Sequence, residues 1–537
     1  MTNSKVFDNI YKKEEMKMGR EVGSSQLGKL YSTKKVRKRR EWRGIKDTLY
    51  DYSRWLYIMS FLARFIIKPN NLKGMLRYRW MVNYLAVPMM LDRLTEGYRG
   101  PQLRIAHTEF DLVITSMAKD IALLFDGDRN IGNNKEISQK TVLLDENEMT
   151  AIMMGFPDLI GNSREIPSMY TAVLLNQHAA EHYLDVAQQY GLPGDVCPLP
   201  ESECGVSIDD DYPVLGACAV QCNTTCDGSL LGNGIISKRM ELEDGIPTFQ
   251  LAAPLRHRNE DVQEYAAQEI RNAIAFIQEH TGASWDWKYY FECAKRVNIA
   301  TRSRMEWLDI NKTDYPQMPG MLLSLYCETD YLGVCGKSKK FEEADKKITQ
   351  LAEEAYKNKT KVSKEYRHRA IIWGVQSHYF FEMLNWLTNC WGIIPLTDML
   401  TMVNTKMIAE EDSPENRKQA IYDMAWLTEN MIMRNRTHGG YKVILDEMWD
   451  YCDEFNADIL IMWEHMGCKS LTGLHGQFEE QARKKGIHLI WVTHDLSDPR
   501  MMSKQDIRDQ VNRYMRTVFR EEPLDPSLEV IHDEKSW

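Results

Sequence analysis

The chain has 537 residues, of which 43% are hydrophobic and 27% are charged, and its formal net charge is −10. This is the composition of a globular protein of about two to four domains, and the acidic balance argues against a surface that binds nucleic acid throughout. The N-terminus lacks the apolar core of a signal peptide, and the most apolar early run, Trp55 to Ile67, is too short to cross a bilayer. We therefore expect a cytoplasmic protein with no nucleic-acid or membrane partner, whose eleven cysteines are free, catalytic or metal-bound rather than disulfide-paired.

Residues 1–100 read as a basic arm followed by a helical extension. The first fifty residues contain 14 Lys or Arg and 6 Asp or Glu, so the rest of the chain carries a net charge of −18. The densest stretch, KKVRKRREWRGIK, is compatible with a nucleic-acid tail, with a solvated arm or with a docking edge for an acidic partner. No nucleic-acid module lies near it, which favours the last two interpretations.

From residue 101 onward, strand-like and helix-like segments alternate along the chain. The predicted strands are TVLLD (141–145), VLGACAVQC (214–222), RAIIWGV (369–375), GIIPL (392–396), ADILIMW (457–463) and IHLIWVTHD (487–495). The predicted helices include 178–191, 260–282, 379–390 and 471–485. Strands that feed helices in this way indicate parallel sheets with crossover helices.

The predicted fold class is α/β, with two Rossmann-like parallel-sheet domains, a helical domain and a helical N-terminal extension. The first α/β domain covers 101–260 and carries Cys197 and Cys226. A helical connector, rich in charged residues, covers 261–365. The second α/β domain covers 366–537 and carries Cys468.

Three cysteine-containing turns are the strongest candidates for chemistry. Cys468 follows a strand and Gly467, where a helix begins, and a helix N-terminus favours a thiolate. Cys197 lies in the turn GDVCPLP, and the pair Cys222 and Cys226 lies in CNTTCDG. Zinc sites usually contain Cys-x-x-Cys pairs, and this sequence has none, whereas widely separated cysteines fit an iron–sulfur cluster held between domains. A buried, purely structural role for each thiol stays open at this point.

A rival hypothesis comes from HAAEH, which matches the H-x-x-E-H pattern of a zinc peptidase. On a helix, His178 and His182 would share one face and could both bind zinc, with Glu181 as the base. The pattern constrains only three positions and no third ligand can be singled out. No P-loop motif for ATP is present either.

Considered together, these segments resemble the 2-hydroxyacyl-CoA dehydratase and benzoyl-CoA reductase family, and specifically one of its cluster-binding subunits. The clearest block is ADILIMWEHMGCKSLTGLHGQ and the following strand, which is similar to the family's strand, W-x-x-x-GC and helix pattern. Two further blocks are FQLAAPLRHRNEDVQEYAAQEI, with its downstream EHTG, and KTVLLDENEMTAIMMGFPDL, which leads to DVCPLPESECG and TTCDG. The resemblance covers residues 135–525.

The resemblance implies a 4Fe-4S cluster bound by Cys197, Cys226 and Cys468, with one iron open to substrate. Cys226 is preferred to Cys222 because it precedes Asp227, as the family's second ligand precedes an Asp. The implied reaction removes water from an (R)-2-hydroxyacyl-CoA through a ketyl radical, giving a 2-enoyl-CoA. The implied partners are a homologous cluster-binding subunit in a heterodimer, an ATP-dependent iron–sulfur activator protein and the CoA-thioester substrate, and the setting is anaerobic.

The family's P-E-E-L-x-x-A-x-G turn supplies a carboxylate near the substrate, and here it corresponds to DENEMTAIMMGFP. Counting back from Gly155 by the family's spacing gives Met149, and an insertion of one residue makes Glu148 the candidate catalytic carboxylate. The alternatives of the same fold are a subunit of an ATP-dependent benzoyl-CoA-type aryl-CoA reductase and an electron-relay subunit without its own substrate site.

Overall fold

The structure is a computed structural model and describes residues 43–145, 151–222, 227–252, 260–332, 336–363, 365–399, 401, 406–429 and 441–531. Glu148 and Cys226 therefore lie outside the described residues. Within the described ranges, no helix combines the length and the apolar character needed to cross a membrane.

The N-terminal part of the described chain is helical. Its helices are α1 (Ile45–Ile66), α2 (Pro69–Arg77), α3 (Val87–Leu94), α4 (Gly100–Gly127) and α5 (Lys135–Lys140), with a 3₁₀ segment at Arg79–Ala86. The central helix is α4, because its apolar residues are buried on most of its circumference, as expected for a helix surrounded by others. Arg43, which precedes α1, forms a buried ion pair with Asp51 of α1, and His107 of α4 contacts the same carboxylate. These contacts attach the start of α1 to α4.

The first sheet has four parallel strands in the order β2-β1-β3-β4. They are β1 (Thr141–Leu144), β2 (Ile160–Ser163), β3 (Cys218–Cys222) and β4 (Thr248–Leu251). The helices between and after them are α6 (Thr171–Leu175), α7 (Glu181–Tyr190), α8 (Pro198–Ile208), α9 (Asp227–Arg239) and α10 (Glu260–Thr281), with π-helical turns at Ile166–Tyr170 and Met240–Asp244. The central strands β1 and β3 are buried at every position, as in a sheet covered on both faces.

Three helices connect the two sheets: α11 (Trp287–Lys312), α12 (Met321–Leu332) and α13 (Lys339–Lys357). Helices α12 and α13 pack against α4, and α11 packs against α13. The connector is therefore helical, as its charged, strand-poor sequence indicates.

The second sheet repeats the topology of the first, with four parallel strands in the order β6-β5-β7-β8. The strands are β5 (His368–Trp373), β6 (Ile393–Asp398), β7 (Ile459–His465) and β8 (His488–His494). The helices are α14 (Met383–Trp386), α15 (Pro414–Glu429), α16 (Tyr441–Glu454), α17 (Lys469–Thr472), α18 (His475–Lys485) and α19 (Lys504–Tyr514), and short 3₁₀ or π segments lie at His378–Phe380, Leu387–Trp391, Met515–Phe519 and Pro526–Leu528. All seven residues of β7 are buried.

The predicted α/β class with two parallel sheets is confirmed, and each of the six predicted strands is present. Three helix predictions differ in detail. The helix predicted from residue 178 begins at Glu181, the segment 379–390 is divided among 3₁₀, α and π turns, and the helix predicted from 471 begins earlier, as α17, and is interrupted before α18. In each case the regular helix is shorter or interrupted where the apolar periodicity alone would continue it.

Candidate functional site

Both sheets have the same strand order, so each has a switch point between its two central strands. In open parallel sheets, ligands bind beyond the carboxyl ends of the strands at such a point. In the first sheet the strands there are β1 and β3, which are followed in the sequence by Asp145 and, beyond the described residues of β3, by Cys226. In the second sheet they are β5 and β7, and β7 leads directly to Cys468.

Cys468 lies in a tight turn between β7 and α17. Its backbone N–H donates a hydrogen bond to the carbonyl oxygen of His465 at 2.9 Å, and Cys468 is the N-cap residue of α17. The preceding residue, Gly467, lies against Val196: a Cβ atom at Gly467 would be only 2.5 Å from the Val196 carbonyl oxygen. The absence of a side chain at Gly467 therefore lets the turn of Cys468 touch the segment that ends in Cys197.

Cys197 is the N-cap residue of α8, and Pro198 occupies the first helical position. A Cβ atom at Gly228, near the start of α9, would lie 3.2 Å from both the backbone nitrogen and the Cβ of Cys197. Gly228 is two residues after Cys226, so the chain just beyond Cys226 is also in contact with Cys197.

One ammonium group joins the same three turns. Lys469 Nζ lies 2.6 Å from Asp227 Oδ2 and 3.8 Å from Asp195 Oδ2. Each of these three residues is within two positions of one of the predicted cysteine ligands. The turn of Cys468, the segment before Cys197 and the start of α9, which follows Cys226 in the sequence, therefore meet at one place.

Cys222 differs from these cysteines because it belongs to the core. It is the last residue of β3, is fully buried, and lies in the apolar cluster that includes Val142, Val220 and Leu251. Its carbonyl oxygen accepts a hydrogen bond from Asn233 Nδ2 at 2.7 Å. Other cysteines of this region are buried too, and burial raises the pKa of the Cys204 and Cys218 thiols to about 12.

Carboxylates lie near the ends of β1 and β2. The side-chain oxygens of Asp145, Glu165 and Glu203 are within 4.8 Å of one another, which is close enough to share a cation. Arg164 supplies a positive charge beside them, with its Nε 3.7 Å from Glu203 Oε1. The sequence analysis missed this group, although the end of a buried strand at Asp145 is a signal that could have indicated it.

Glu201 is a second carboxyl group that sequence reasoning missed. It lies in α8, one turn after Cys197, and is buried. Burial raises the pKa of Glu201 to about 7, and the negative charges of Asp495 and Asp498, which follow β8, act in the same direction. A carboxyl group with such a pKa can both accept and donate a proton near neutral pH.

The three histidines at the carboxyl ends of the second sheet were also missed. His378 follows β5, His465 ends β7 and His494 ends β8, and all three are almost completely buried. Burial lowers the pKa of His378 and of His465 to about 3 and that of His494 to about 4, and neighbouring histidines of the group contribute to the first two shifts. Their rings are therefore neutral at physiological pH.

The residues of the HAAEH motif do not converge. His178 precedes α7 and its Nδ1 lies 2.7 Å from Glu181 Oε1, whereas His182 Nε2 lies 2.8 Å from Asp209 Oδ2. Among the described residues, the metal-capable group is the carboxylate group of Asp145, and it includes neither histidine. The zinc-peptidase hypothesis has no support in this geometry.

Two parallel sheets with equivalent switch points, and the contact between the turns of Cys197 and Cys468, define a protein of the α/β class with two parallel sheets. The sequence pattern of the family described as 2-hydroxyglutaryl-CoA dehydratase, D-component, matches residues 153–516. The chain belongs to this family, which confirms the resemblance noted in the sequence. No match was found among curated proteins.

Proposed function

We propose that the chain is one subunit of a radical 2-hydroxyacyl-CoA dehydratase, which removes water from an (R)-2-hydroxyacyl-CoA and yields a 2-enoyl-CoA through a ketyl radical. Membership of the dehydratase family supports the reaction class. The observation that supports the proposal is the contact of the turns of Cys197 and Cys468 with each other and with the start of α9, which follows Cys226 in the sequence.

Cys197, Cys226 and Cys468 are the residues that would hold a 4Fe-4S cluster. The site fits such a group because thiolates are its usual ligands, and because Cys197 caps an eleven-residue helix whose N-terminal N–H groups favour negative charge. Cys226 is a better candidate than Cys222, whose side chain belongs to the apolar core of the first sheet. When bound, the cluster would supply single electrons of low potential and an open iron for the substrate oxygen.

The chain's own residues would supply a buried, oriented environment and a proton acceptor. A reactive radical requires exclusion of water, and the strand ends around the turn of Cys468 are buried. Two carboxylates are candidates for accepting the β-proton: Glu148, which the family resemblance indicates, and Glu201, which has a pKa of about 7 because it is buried. Alanine and glutamine variants at both positions would show which of them the reaction needs.

The finer assignments are part of the same proposal. We infer a heterodimer with a second homologous cluster-binding subunit, an ATP-dependent iron–sulfur activator protein as electron donor, and a cytoplasmic, anaerobic setting. The term D-component in the family name supports a partner subunit. The family description also favours dehydration over the reduction of an aromatic CoA-thioester.

Anaerobic purification provides the first test. We expect about four iron and four sulfide per chain, and loss of both in Cys197→Ala, Cys226→Ala and Cys468→Ala, while Cys222→Ala keeps them. The purified complex, mixed with activator and ATP, is then assayed with a panel of 2-hydroxyacyl-CoA and aryl-CoA compounds. An iron-free wild-type protein would contradict the cluster assignment. An iron-containing complex that reduces only aryl-CoA would replace the dehydratase by the reductase.

The electron-relay alternative has its own test. If this subunit binds substrate, adding a 2-hydroxyacyl-CoA to the complex should perturb the electron paramagnetic resonance signal of its cluster. A partner subunit with its cluster ligands replaced by alanine isolates that signal. No perturbation, in a complex that nevertheless dehydrates the compound, would assign this chain to electron relay.

A further inference from the structure

One side of α1 presents apolar side chains to solvent. Six residues follow one another along this helix at intervals of four, three, four, three and four, and we call them the outer stripe: Ile45, Leu49, Tyr52, Leu56, Met59 and Ala63. Ile45 is 71% exposed, Leu49 66% and Leu56 61%. Large aliphatic side chains that lie together in water mark an interaction surface.

The outer stripe lies opposite the side of α1 that packs on the rest of the helical extension. The buried residues of α1 are Asp51, Ile58 and Phe65, and with about 100° of rotation per residue they point away from the stripe. A helix that is apolar all round is normally buried all round. Within the described part of the chain only one side of α1 is covered, so the outer stripe indicates a binding partner.

The spacing of the outer stripe indicates that this partner is a helix. Alternating intervals of three and four residues are the a and d pattern of a coiled coil, in which one helix packs along another. The seam that they form is narrower than the stripe of about 100° by which a helix packs on a broad apolar surface. The positions that flank the seam are Lys46, Ser53 and Ser60 on one side and Thr48, Trp55 and Leu62 on the other.

The solvent-facing charges around the outer stripe are basic. Residues 45–77, which span α1 and α2, contain six Lys or Arg and two Asp. Both carboxylates are engaged inside the extension, since Asp47 lies 3.1 Å from Arg104 and the buried Asp51 lies 2.7 Å from Arg43. The exposed basic residues are Lys46, Arg64, Lys68, Lys73 and Arg77. Such a rim favours acidic residues on the partner helix.

The two candidate partners that this chain itself offers would bring like charge to the rim. Residues 1–42, which precede α1, contain 12 Lys or Arg and 5 Asp or Glu. A second copy of α1 would place Lys46 opposite flanking positions that contain no acidic residue. Charge complementarity therefore favours a different polypeptide.

We propose that the outer stripe binds a helix of the partner subunit, which has apolar residues at its own a and d positions and acidic residues beside them. This inference rests on the proposed function, which supplies the heterodimer, and it deepens it by naming the surface. A subunit fits better than the activator protein, because permanent interfaces are more apolar, whereas electron-transfer encounters are small and short-lived. The outer stripe precedes residues 153–516, so the family match assigns it no role.

Photo-crosslinking tests which polypeptide covers the outer stripe. p-Benzoylphenylalanine replaces Leu56 in the anaerobically purified complex, which is irradiated with the activator present, and mass spectrometry identifies the cross-linked peptide. We expect a peptide of the partner subunit that has apolar residues three and four positions apart and more acidic than basic residues. The same probe in place of Leu242, which is 73% exposed, is the matched control and should not reach that peptide. A cross-link to residues 1–42, to a second copy or to the activator, or none at all, would overturn the inference.

A charge placed in the seam should weaken the complex. Leu49→Glu and Leu56→Glu should each raise the dissociation constant of the two subunits at least about tenfold, as measured by sedimentation velocity. Leu242→Glu, at an exposed position away from α1, should leave this constant within about twofold of the wild-type value. Circular dichroism of each variant chain identifies one that does not fold, and the remaining variant then decides.

Salt tests the acidic character of the partner helix. Raising the NaCl concentration from about 0.05 M to about 0.5 M should weaken the wild-type complex severalfold, because salt screens opposite charges across an interface. Lys46→Gln combined with Arg64→Gln should reduce this salt dependence. A dissociation constant that does not respond to salt would contradict an acidic partner helix.

Two further results would overturn the inference: unchanged dissociation constants in both glutamate variants, or binding of the wild-type complex to phosphatidylglycerol vesicles that both variants abolish, which would assign the outer stripe to a lipid surface. Neither result affects the dehydratase assignment if the complex still dehydrates a hydroxyacyl-CoA. Conversely, a partner subunit bound through the outer stripe, in a complex that dehydrates no hydroxyacyl-CoA with activator and ATP, would remove the proposed reaction and keep the surface.

Discussion

Gly467 is the residue on which the close approach of two cysteine turns depends. In Gly467→Ala the new methyl group would lie 2.5 Å from the Val196 carbonyl oxygen and 3.0 Å from the His465 ring, so backbone must move. We expect a loss of stability of about 1–3 kcal/mol and at least a twofold loss of bound iron. Iron analysis and urea unfolding measure the two effects.

Gly476 provides the control for this substitution. It lies in α18, and a Cβ atom there would meet no other atom within 4 Å. Because alanine is a better helix former than glycine, Gly476→Ala should retain full iron content and stability. Equal iron loss in the two variants would show that the contact between Gly467 and Val196 is not what brings the cysteines together.

Lys469 is expected to affect the kinetics of the site more than the stability of the fold. Its contacts with Asp227 and Asp195 are exposed to solvent, where ion pairs contribute little to stability. They nevertheless join the turn of Cys468 to the segment before Cys197 and to the start of α9. Lys469→Met should therefore leave the unfolding midpoint unchanged and increase the rate of iron loss to a chelator severalfold. Lys484→Met removes an exposed pair with Glu480 and is the control. Identical rates in both variants would contradict the role of Lys469.

At the level of secondary-structure elements, strands with continuous apolar runs were predictable, including the edge strands β6 and β8 of the second sheet, whereas the short edge strand β2 of the first sheet was not. Strands such as β7 are continuous apolar runs, because both faces of a covered parallel sheet exclude water. Strands β2, with the sequence IGNS, and β4 lie at the edges of the first sheet and are partly exposed, so they contain few apolar residues to indicate a strand. β2 was not predicted as a strand at all.

Only part of the candidate site was predictable from the sequence. The cysteine turns follow apolar strands and contain glycines, which single them out in the sequence. Glu201 and the buried histidines His378, His465 and His494 acquire their shifted pKa values mainly from burial by segments far away along the chain, so no local sequence pattern indicates them. Glu148 and Cys226 lie outside the described residues, and their roles, like the four-part domain division, stay predictions.

The buried histidines that follow or end β5, β7 and β8 should lower the stability of the folded protein at acidic pH. Burial holds the pKa of His378 at about 3, below its ordinary 6.5, so between these values the unfolded chain binds a proton that the folded protein does not. His378 should therefore lower the unfolding free energy by about 1.4 kcal/mol for each unit that the pH falls in this window.

Substitution of His378 isolates this contribution. His378→Phe should lose less stability than the wild-type protein between pH 6.5 and 4.5, as measured by urea unfolding of the iron-free protein at a series of pH values. The exposed His280 provides the control, as His280→Asn. The same acid dependence in wild type and His378→Phe would mean that the His378 ring is already protonated, or not buried, in the folded protein.

For the whole molecule, the proposed cluster ligands come from both halves of the chain, so the proposed site requires both sheets. Cys197 and Cys226 follow elements of the first sheet, and Cys468 follows β7 of the second. A group bound to all three would link the halves in the folded protein and would not bind in the same way to the unfolded chain, so binding must stabilise the fold.

Removal of iron should therefore lower the melting temperature of the entire described fold rather than of one sheet. We expect a decrease on the order of 5 °C when the wild-type protein is treated anaerobically with chelator. Cys468→Ala should melt near the temperature of the iron-free wild type and should not respond to chelator, whereas Cys452→Ala, which removes a buried thiol of α16, should keep the response. A chelator-induced shift that persists in Cys468→Ala would mean that the iron is held within the first sheet's turns alone, because the second half of the chain would then contribute nothing to its binding.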